Sequence, residues 1–311
     1  MKRLFFTWTF LFLGMSLYAQ PQKVWLDADT GNELDDVFAI IRLLCEPSVE
    51  VAGLSSAHFN NPDLLVYEKW NQYDTQDIHT VRISQELNEE ILQTMGRGDI
   101  LCPLGADRQI GRAWGGYEPQ ESKAVEQLVA TVKSLPNGAK LDVLCLGALT
   151  NIASAIILYP EIIPQIRCYA LGAGYHPQTG AWNKNEFNIR NDLNAFDYLL
   201  NKEDFEFYIM PISTALGYVF DRDETYAKID PADPVTMLIK KRWEETFPGD
   251  KNRIIWDLAL VEAYLKPALC QLEQVMAPPE NTQRKVNVYT QIDHEGMTRD
   301  FWEYVTGKNR K

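Results

Sequence analysis

Five carboxylates fall within ten residues near the start of the chain: Asp27-Ala28-Asp29-Thr30-Gly31-Asn32-Glu33-Leu34-Asp35-Asp36, counting Glu33. Like charges packed that closely repel strongly unless something neutralises them. The run follows the apolar segment Val24–Leu26 and precedes Asp36–Cys45, where Val37, Ile40, Ile41 and Leu44 recur at helical spacing. It therefore occupies a strand-to-helix turn. A helix N-terminus offers only about half a positive charge, too little for five carboxylates. A hard divalent cation answers the problem, and all-oxygen ligation suits Ca²⁺ or Mg²⁺. The plainer alternative is that Asp35 and Asp36 cap a helix while the others are solvated. The run is not an EF-hand loop, because Asn32 stands where that loop needs Gly.

Other polar clusters also follow apolar runs. Val49–Ser56 leads into His58, Asn60 and Asn61; Leu141–Leu146 into Gly147-Ala148-Leu149-Thr150-Asn151; Ile166–Leu171 into Gly172-Ala173-Gly174-Tyr175-His176. In an open parallel sheet, ligands bind beyond the carboxyl ends of the strands. If these runs are parallel strands, all the clusters meet on one edge. Competing catalytic patterns fail: there is no G-x-S-x-G, H-E-x-x-H or G-K-[ST]. Gly172-Ala173-Gly174 begins like a dinucleotide fingerprint, but Pro177 replaces its third glycine. None of the four His is near another.

The elements that must carry these clusters alternate strand and helix. The pattern predicts helices over Asp63–Tyr73, Glu121–Leu135, Asn151–Leu158 and Leu193–Asn201, with a strand over Phe205–Pro211. Residues 212–256, interrupted by Pro231, Pro234 and Pro248, read as helices and loops beside the site, and Val286–Ile292 as a late edge strand. The fold class is α/β, an open, mostly parallel sheet with helices on both faces. No repeat, low-complexity tract or linker divides residues 20–311, so one domain is expected there.

A chain of 311 residues with 46% apolar content can bury a sizeable core, which excludes global disorder. The net charge of −13 argues against a nucleic-acid polymer as partner. Only five Cys are present, with no C-x-x-C, and Cys45, Cys145 and Cys168 lie in apolar runs as core residues. Lys2 and Arg3 precede the apolar run Leu4–Tyr18, closed by Ala19. That is the layout of a secretory signal peptide over residues 1–19. An exported protein is expected, periplasmic or secreted, with no stable membrane insertion after cleavage. A homo-oligomer is compatible with the sequence.

Four motifs in order resemble the nucleoside hydrolases, calcium-dependent N-ribohydrolases. The first pattern, D-x-D-x-G-x-D-D, is matched from Asp27 to Asp36 with two extra residues between Gly31 and the Asp pair. The second, L-G-P-L-T-N, appears as Leu146-Gly147-Ala148-Leu149-Thr150-Asn151. The third, E-F-N-x-x-x-D, is Glu186-Phe187-Asn188 through Asp192, and the fourth is Asp257 opening an apolar helix after Trp256. The resemblance covers about residues 23–270.

The resemblance implies a Ca²⁺ held by the side chains of Asp29, Asp36 and Asp257 and the carbonyl of Leu146. It gives Asp29 the attacking water to hold and deprotonate, and Asp35 the ribose 2′-hydroxyl. Asn60, Glu186 and Asn188 bind the other sugar hydroxyls, joined by Asn183. Many members carry a His just before the last calcium Asp; Trp256 stands there in this chain. A second His, in an H-G segment, has Trp114-Gly115 as its nearest match. A purine-preferring branch uses Trp at such positions to stack on the base, so the resemblance implies a small nucleoside substrate with a purine preference; the plainer alternative is that Trp256 and Trp114 are core or rim aromatics. Two other readings stay open: an exported calcium-dependent sugar-binding protein on the same scaffold, and a haloacid-dehalogenase-type phosphatase using Asp27-x-Asp29-x-Thr30. The second lacks the downstream acidic motif for Mg²⁺.

Overall fold

The computed structural model describes residues 21–59, 79–113 and 115–306. Strand β1 (Gln22–Ala28) leads into helix α1 (Asp35–Leu44), then β2 (Val49–Ser56). Helices α2 (Thr80–Thr94) and α3 (Lys123–Lys133) precede β3 (Leu141–Cys145), α4 (Thr150–Leu158) and β4 (Ile166–Leu171). A small hairpin follows, β5 (Gly174–His176) and β6 (Ala181–Asn183), then α5 (Phe187–Asn191), α6 (Leu193–Leu200) and β7 (Glu206–Met210). Beyond it come α7 (Ile212–Ala215), β8 (Val219–Asp221), α8 (Arg222–Lys228), α9 (Pro234–Thr246), β9 (Asn252–Ile254) and α10 (Trp256–Leu265). Strands β10 (Cys270–Met276) and β11 (Lys285–Ile292) and helix α11 (His294–Thr306) end the described chain.

The main sheet has seven strands in the order β10-β11-β7-β4-β3-β1-β2. All pairs are parallel except β10 with β11. Parallel strands covered on both faces read as near-continuous apolar runs, which is why β4 falls where the sequence places it; β2, at the sheet edge, also keeps its expected bounds. Alternate residues feed two cores. Val24, Leu26 and Ala28 of β1 face the side packed by α1, α9, α10 and α11. Trp25 faces the side packed by α3, α4 and α6.

The strand order reverses between β1 and β3, since β1 continues to β2 on one side while β3, β4 and β7 build outward on the other. Such a switch point opens a crevice at the carboxyl edge. Register aligns that edge: Asp27 lies opposite Ser55 and Cys145, and Leu171 opposite Met210.

Two expectations need correction. Val286–Ile292 belongs to β11, which is an interior strand; β10 pairs along its outer side and forms the edge. Strand β10 is exposed over most of its length, so it carries no apolar run to read. Pro234 begins α9 instead of breaking it. It sits in the first turn, where a missing N–H costs nothing, and the Asp233 carboxylate accepts from the amides of Val235 and Thr236. Residues 80–94, where no element is expected from the sequence, form helix α2. The helix expected over Asp63–Tyr73, and the expected signal peptide, lie outside the described residues. Cys45, Cys145 and Cys168 are buried and unbridged, as core residues. Among the described residues no helix is long and apolar enough to cross a membrane.

Candidate active site

A cleft of about 290 Å³ opens at the switch point. Its walls carry Asp29, Asp35, Asp36, Leu146, Glu186, Asn188, Trp256 and Asp257, eight residues singled out in the sequence. Asp35 and Asp36 open α1, and Asp257 lies in the first turn of α10. The two helices start side by side, and the backbone N–H of Asp257 donates to Asp35 Oδ2 at 3.2 Å. Asp35, Asp36 and Asp257 each offer an oxygen within 4.8 Å of the others, and all three side chains are buried.

Their electrostatics are severe. Burial, then the neighbouring charges of Asp36 and Asp35, push the Asp29 carboxyl well above the usual carboxylate range. Burial and Asp35 do the same to Asp36 and to Asp257. Asp35 is pushed up to about 7, by burial and then by Glu33. One oxygen each of Asp29, Asp36 and Asp257 is buried without a hydrogen-bond partner. Unpaired buried carboxylate oxygens are costly. Clustered in an all-oxygen set, they have the donor chemistry of a hard divalent cation. The residues present fit such an ion.

Asp29 lies outside the tight group of three, on the same cleft wall. Its position depends on Gly147 at the end of β3. A Cβ there would come within 2.8 Å of Asp29 Cβ, Cγ and Oδ1. Leu146 lines the cleft, and its carbonyl accepts from Asn188 Nδ2 at 2.5 Å. A carbonyl oxygen has a second lone pair for another partner.

Glu186 faces the cleft but first serves as the N-cap of α5. Its Oε1 accepts from the Asn188 amide at 3.1 Å, and its Oε2 from Ile189 and Ala173 at 3.1 and 3.3 Å. Burial raises its pKa, against the pull of those amides. Asn183 is displaced from its expected place. It ends β6, is exposed, is not on the cleft wall, and accepts from the Asn185 amide. Asn185 stands in the cleft instead. Trp256, half-buried, lines the cleft at the start of α10. Asn60 and Trp114 lie outside the described residues.

Asn32, Glu33, Asn185 and Phe187 also line the cleft. In the sequence Asn32 and Glu33 figure only as members of the carboxylate run and Phe187 only as a motif letter, and Asn185, beside Glu186, is the one missed outright. The remaining motif residues act as scaffold. Asn151 Nδ2 donates to Asp27 Oδ1 at 2.9 Å and to the Ser56 carbonyl at 3.0 Å, tying α4 to β1 and β2. Thr150 donates to Asp192 Oδ2 at 2.5 Å and contacts His58 Nε2 at 2.8 Å. Burial pushes His58 down to about 3, so it stays neutral. Among the described residues no His lines the cleft. Asp27 is buried behind the cleft, bonded by Ser55 and Asn151, and burial pushes it up to about 7. A phosphatase nucleophile would need to face the cleft, and Asp27 does not.

The family model of the inosine-uridine preferring nucleoside hydrolases matches residues 24–310. The inosine-uridine preferring nucleoside hydrolase of Crithidia fasciculata is 28% identical over 186 residues, 58% of each chain. A purine-preferring ribonucleoside hydrolase from Gardnerella vaginalis has the same fold, with a TM-score of 0.63 at 18% identity, covering 93% of this chain and 99% of that one. An inosine-guanosine nucleoside hydrolase superposes with a TM-score of 0.68 at 17% identity, covering 91% and 98%. The chain belongs to the nucleoside hydrolase family and is a nucleoside N-ribohydrolase, cleaving the N-glycosidic bond of ribonucleosides.

Proposed function

We propose that this hydrolase depends on Ca²⁺, prefers purine nucleosides and works outside the cytoplasm. The observation that carries the metal reading is the set of buried, unpartnered oxygens on Asp29, Asp36 and Asp257. These side chains, with the Leu146 carbonyl, would hold the ion. When bound, Ca²⁺ supplies the positive charge these carboxylates lack and Lewis acidity toward a ribose diol and a water.

The chain's own residues do the rest. Asp29 accepts the proton of the attacking water. Asp35 accepts from the ribose 2′-hydroxyl, and Asn188 and Glu186 hold the other hydroxyls. Departure of the base leaves positive charge growing on the sugar, and the clustered carboxylates stabilise it. Water attacking opposite the base inverts the anomeric carbon. Trp256 offers a stacking face for the base at the rim. The purine preference rests on that indole and on the two purine-named structural relatives. Export rests on Lys2, Arg3 and the apolar run Leu4–Tyr18.

One experiment tests the reading. Calorimetry with Ca²⁺ and turnover of inosine, guanosine, adenosine, uridine and cytidine are measured on the mature chain, with and without EDTA. Calcium-restored, EDTA-sensitive cleavage that favours inosine and guanosine is expected. Turnover unaffected by EDTA removes the metal. Ribose binding without turnover turns the chain into a sugar-binding protein, and equal rates on uridine and inosine remove the purine preference. N-terminal sequencing of protein from cell fractions tests export, with a mature chain beginning at Gln20 expected.

A further inference from the structure

The turn from Asp29 to Asp35 is two residues longer than the family pattern, and what holds it comes from elsewhere in the chain. Inside the turn the Asn32 amide donates to the Asp29 carbonyl at 2.8 Å. On one side, α2 supplies Ser84, whose hydroxyl accepts from the Gly31 amide at 3.3 Å, and Asn88, which accepts from the Thr30 hydroxyl at 2.5 Å. On the other side stands Arg242 of α9. Its Nε donates to the Glu33 carbonyl at 3.0 Å, and its Nη2 to the carbonyls of Thr30 and Gly31 at 3.2 and 2.9 Å. Arg253 of β9 pairs with the Glu33 carboxylate.

Three carbonyls of one turn thus converge on one guanidinium. A planar fork of fixed donors can hold three acceptors at once; an ammonium on a flexible stem cannot fix them in the same way. The geometry points to Arg242 as a positioning residue. By gripping the lengthened turn, it makes Asp29 and Asp36 face the same cation, a role that rests on the metal-dependent reading above.

Geometry and charge make opposite predictions. Ligand distances in a metal site tolerate about 0.2 Å, so loosening the turn between two ligands weakens binding. The charge of Arg242, however, is close enough to be felt by Asp36 and Asp35. A positive charge there repels a cation, and removing it alone would tighten binding. The variants Arg242→Lys and Arg242→Gln separate these effects. Lysine keeps the charge and loses the fork; glutamine loses both.

Ca²⁺ affinity is measured by calorimetry on wild type and both variants, with amide hydrogen exchange on the metal-free proteins. If Arg242 positions the turn, both variants bind Ca²⁺ at least about tenfold more weakly, and amides of residues 31–34 exchange faster in both. If Arg242→Lys binds like wild type, or Arg242→Gln binds more tightly, the positioning role is overturned. Wild-type protein that binds no Ca²⁺ refutes the metal reading itself, a result separate from any difference among variants.

Discussion

The amide of Asp257 donates to Oδ2 of Asp35 at 3.2 Å, joining two helix starts that lie 222 residues apart in sequence. The bond makes the positions of α1 and α10 interdependent at the one place where their carboxylates crowd. Asp35, Asp36 and Asp257 each offer an oxygen to one centre, and Asp35 also holds the start of the second helix. The acidic cluster is therefore a junction of two chain segments as well as a candidate metal site.

Asp29→Asn should abolish turnover while leaving the fold intact. Loss of a general base costs about 10²- to 10⁴-fold in kcat. Removing one buried like charge should also relieve repulsion, so the metal-free variant should melt above the metal-free wild type. Steady-state kinetics and paired thermal melts in EDTA check both halves. Wild-type kcat in the variant would remove Asp29 as the base.

Gly147→Ala tests the bed on which Asp29 lies. The added methyl would meet Asp29 Cβ, Cγ and Oδ1 at 2.8 Å. Small misplacements of a reacting group are expensive, about 100-fold for roughly 1 Å. We expect kcat to fall at least about tenfold with an unchanged circular dichroism spectrum. An active Gly147→Ala enzyme would mean that Asp29 has room to move without consequence.

How much of this was readable beforehand depends on what each residue faces. Strand β4 was legible to the residue because burial on both faces leaves an apolar run broken only by Arg167, and β2 because Val49, Val51 and Leu54 stand out around a single charge at Glu50. Helix α2 was not, because part of the face it buries is polar: Ser84 and Asn88 turn inward to hold the acidic turn. Strand β10 was missed because Gln271, Leu272, Glu273 and Gln274 are all exposed. In the site, the carboxylates of Asp29, Asp35 and Asp36 announced themselves by charge, which is a property of type and spacing; Asp257 was found only through the family resemblance. Asn185 replaced Asn183 because the β5–β6 hairpin pairs Asn183 with Gly174 and turns it out of the cleft, a matter of register between strands that composition does not encode. Arg242 carried no motif at all. Its role comes from a helix whose starting Pro234 read as a breaker.

Trp256→Ala should separate purine from pyrimidine substrates. Stacking of a base on an aromatic side chain is worth about 1–3 kcal/mol, so kcat/KM for inosine should fall roughly ten- to hundredfold. Uridine, with a smaller stacking face, should lose less. Because Trp256 is half-buried at the rim, the variant should fold. Parallel kinetics on the two nucleosides decide it, and an unchanged inosine rate would leave Trp256 as a wall residue only.

The last prediction concerns stability, at a distance from the carboxylates of the cleft. Arg42 of α1 donates to Glu262 at 2.9 Å, to Glu46 at 3.1 Å and to Asp300 at 2.5 Å, and Lys266 lies 3.6 and 3.5 Å from Glu46 and Asp300. Two cations thus face three carboxylates, and one negative charge is in excess. Burial pushes Glu262 up to about 8, with Asp300 adding to the rise and Arg42 opposing it. The native state then holds a proton on Glu262 more tightly than the unfolded chain, where glutamate titrates near about 4.3. For an acid raised in this way, the stability contribution is full below the unfolded pKa and is lost as pH rises through the folded one. The slope is at most about 1.4 kcal/mol per pH unit. Glu262→Gln mimics the protonated form, so its melting temperature should fall less than that of wild type between pH 5 and 8, the window set by the rise to about 8. Thermal melts at fixed calcium across that window measure it. Equal slopes in the two proteins would show that Glu262 stays ionised against Arg42, and that the excess charge is carried by Asp300 at its wetter edge.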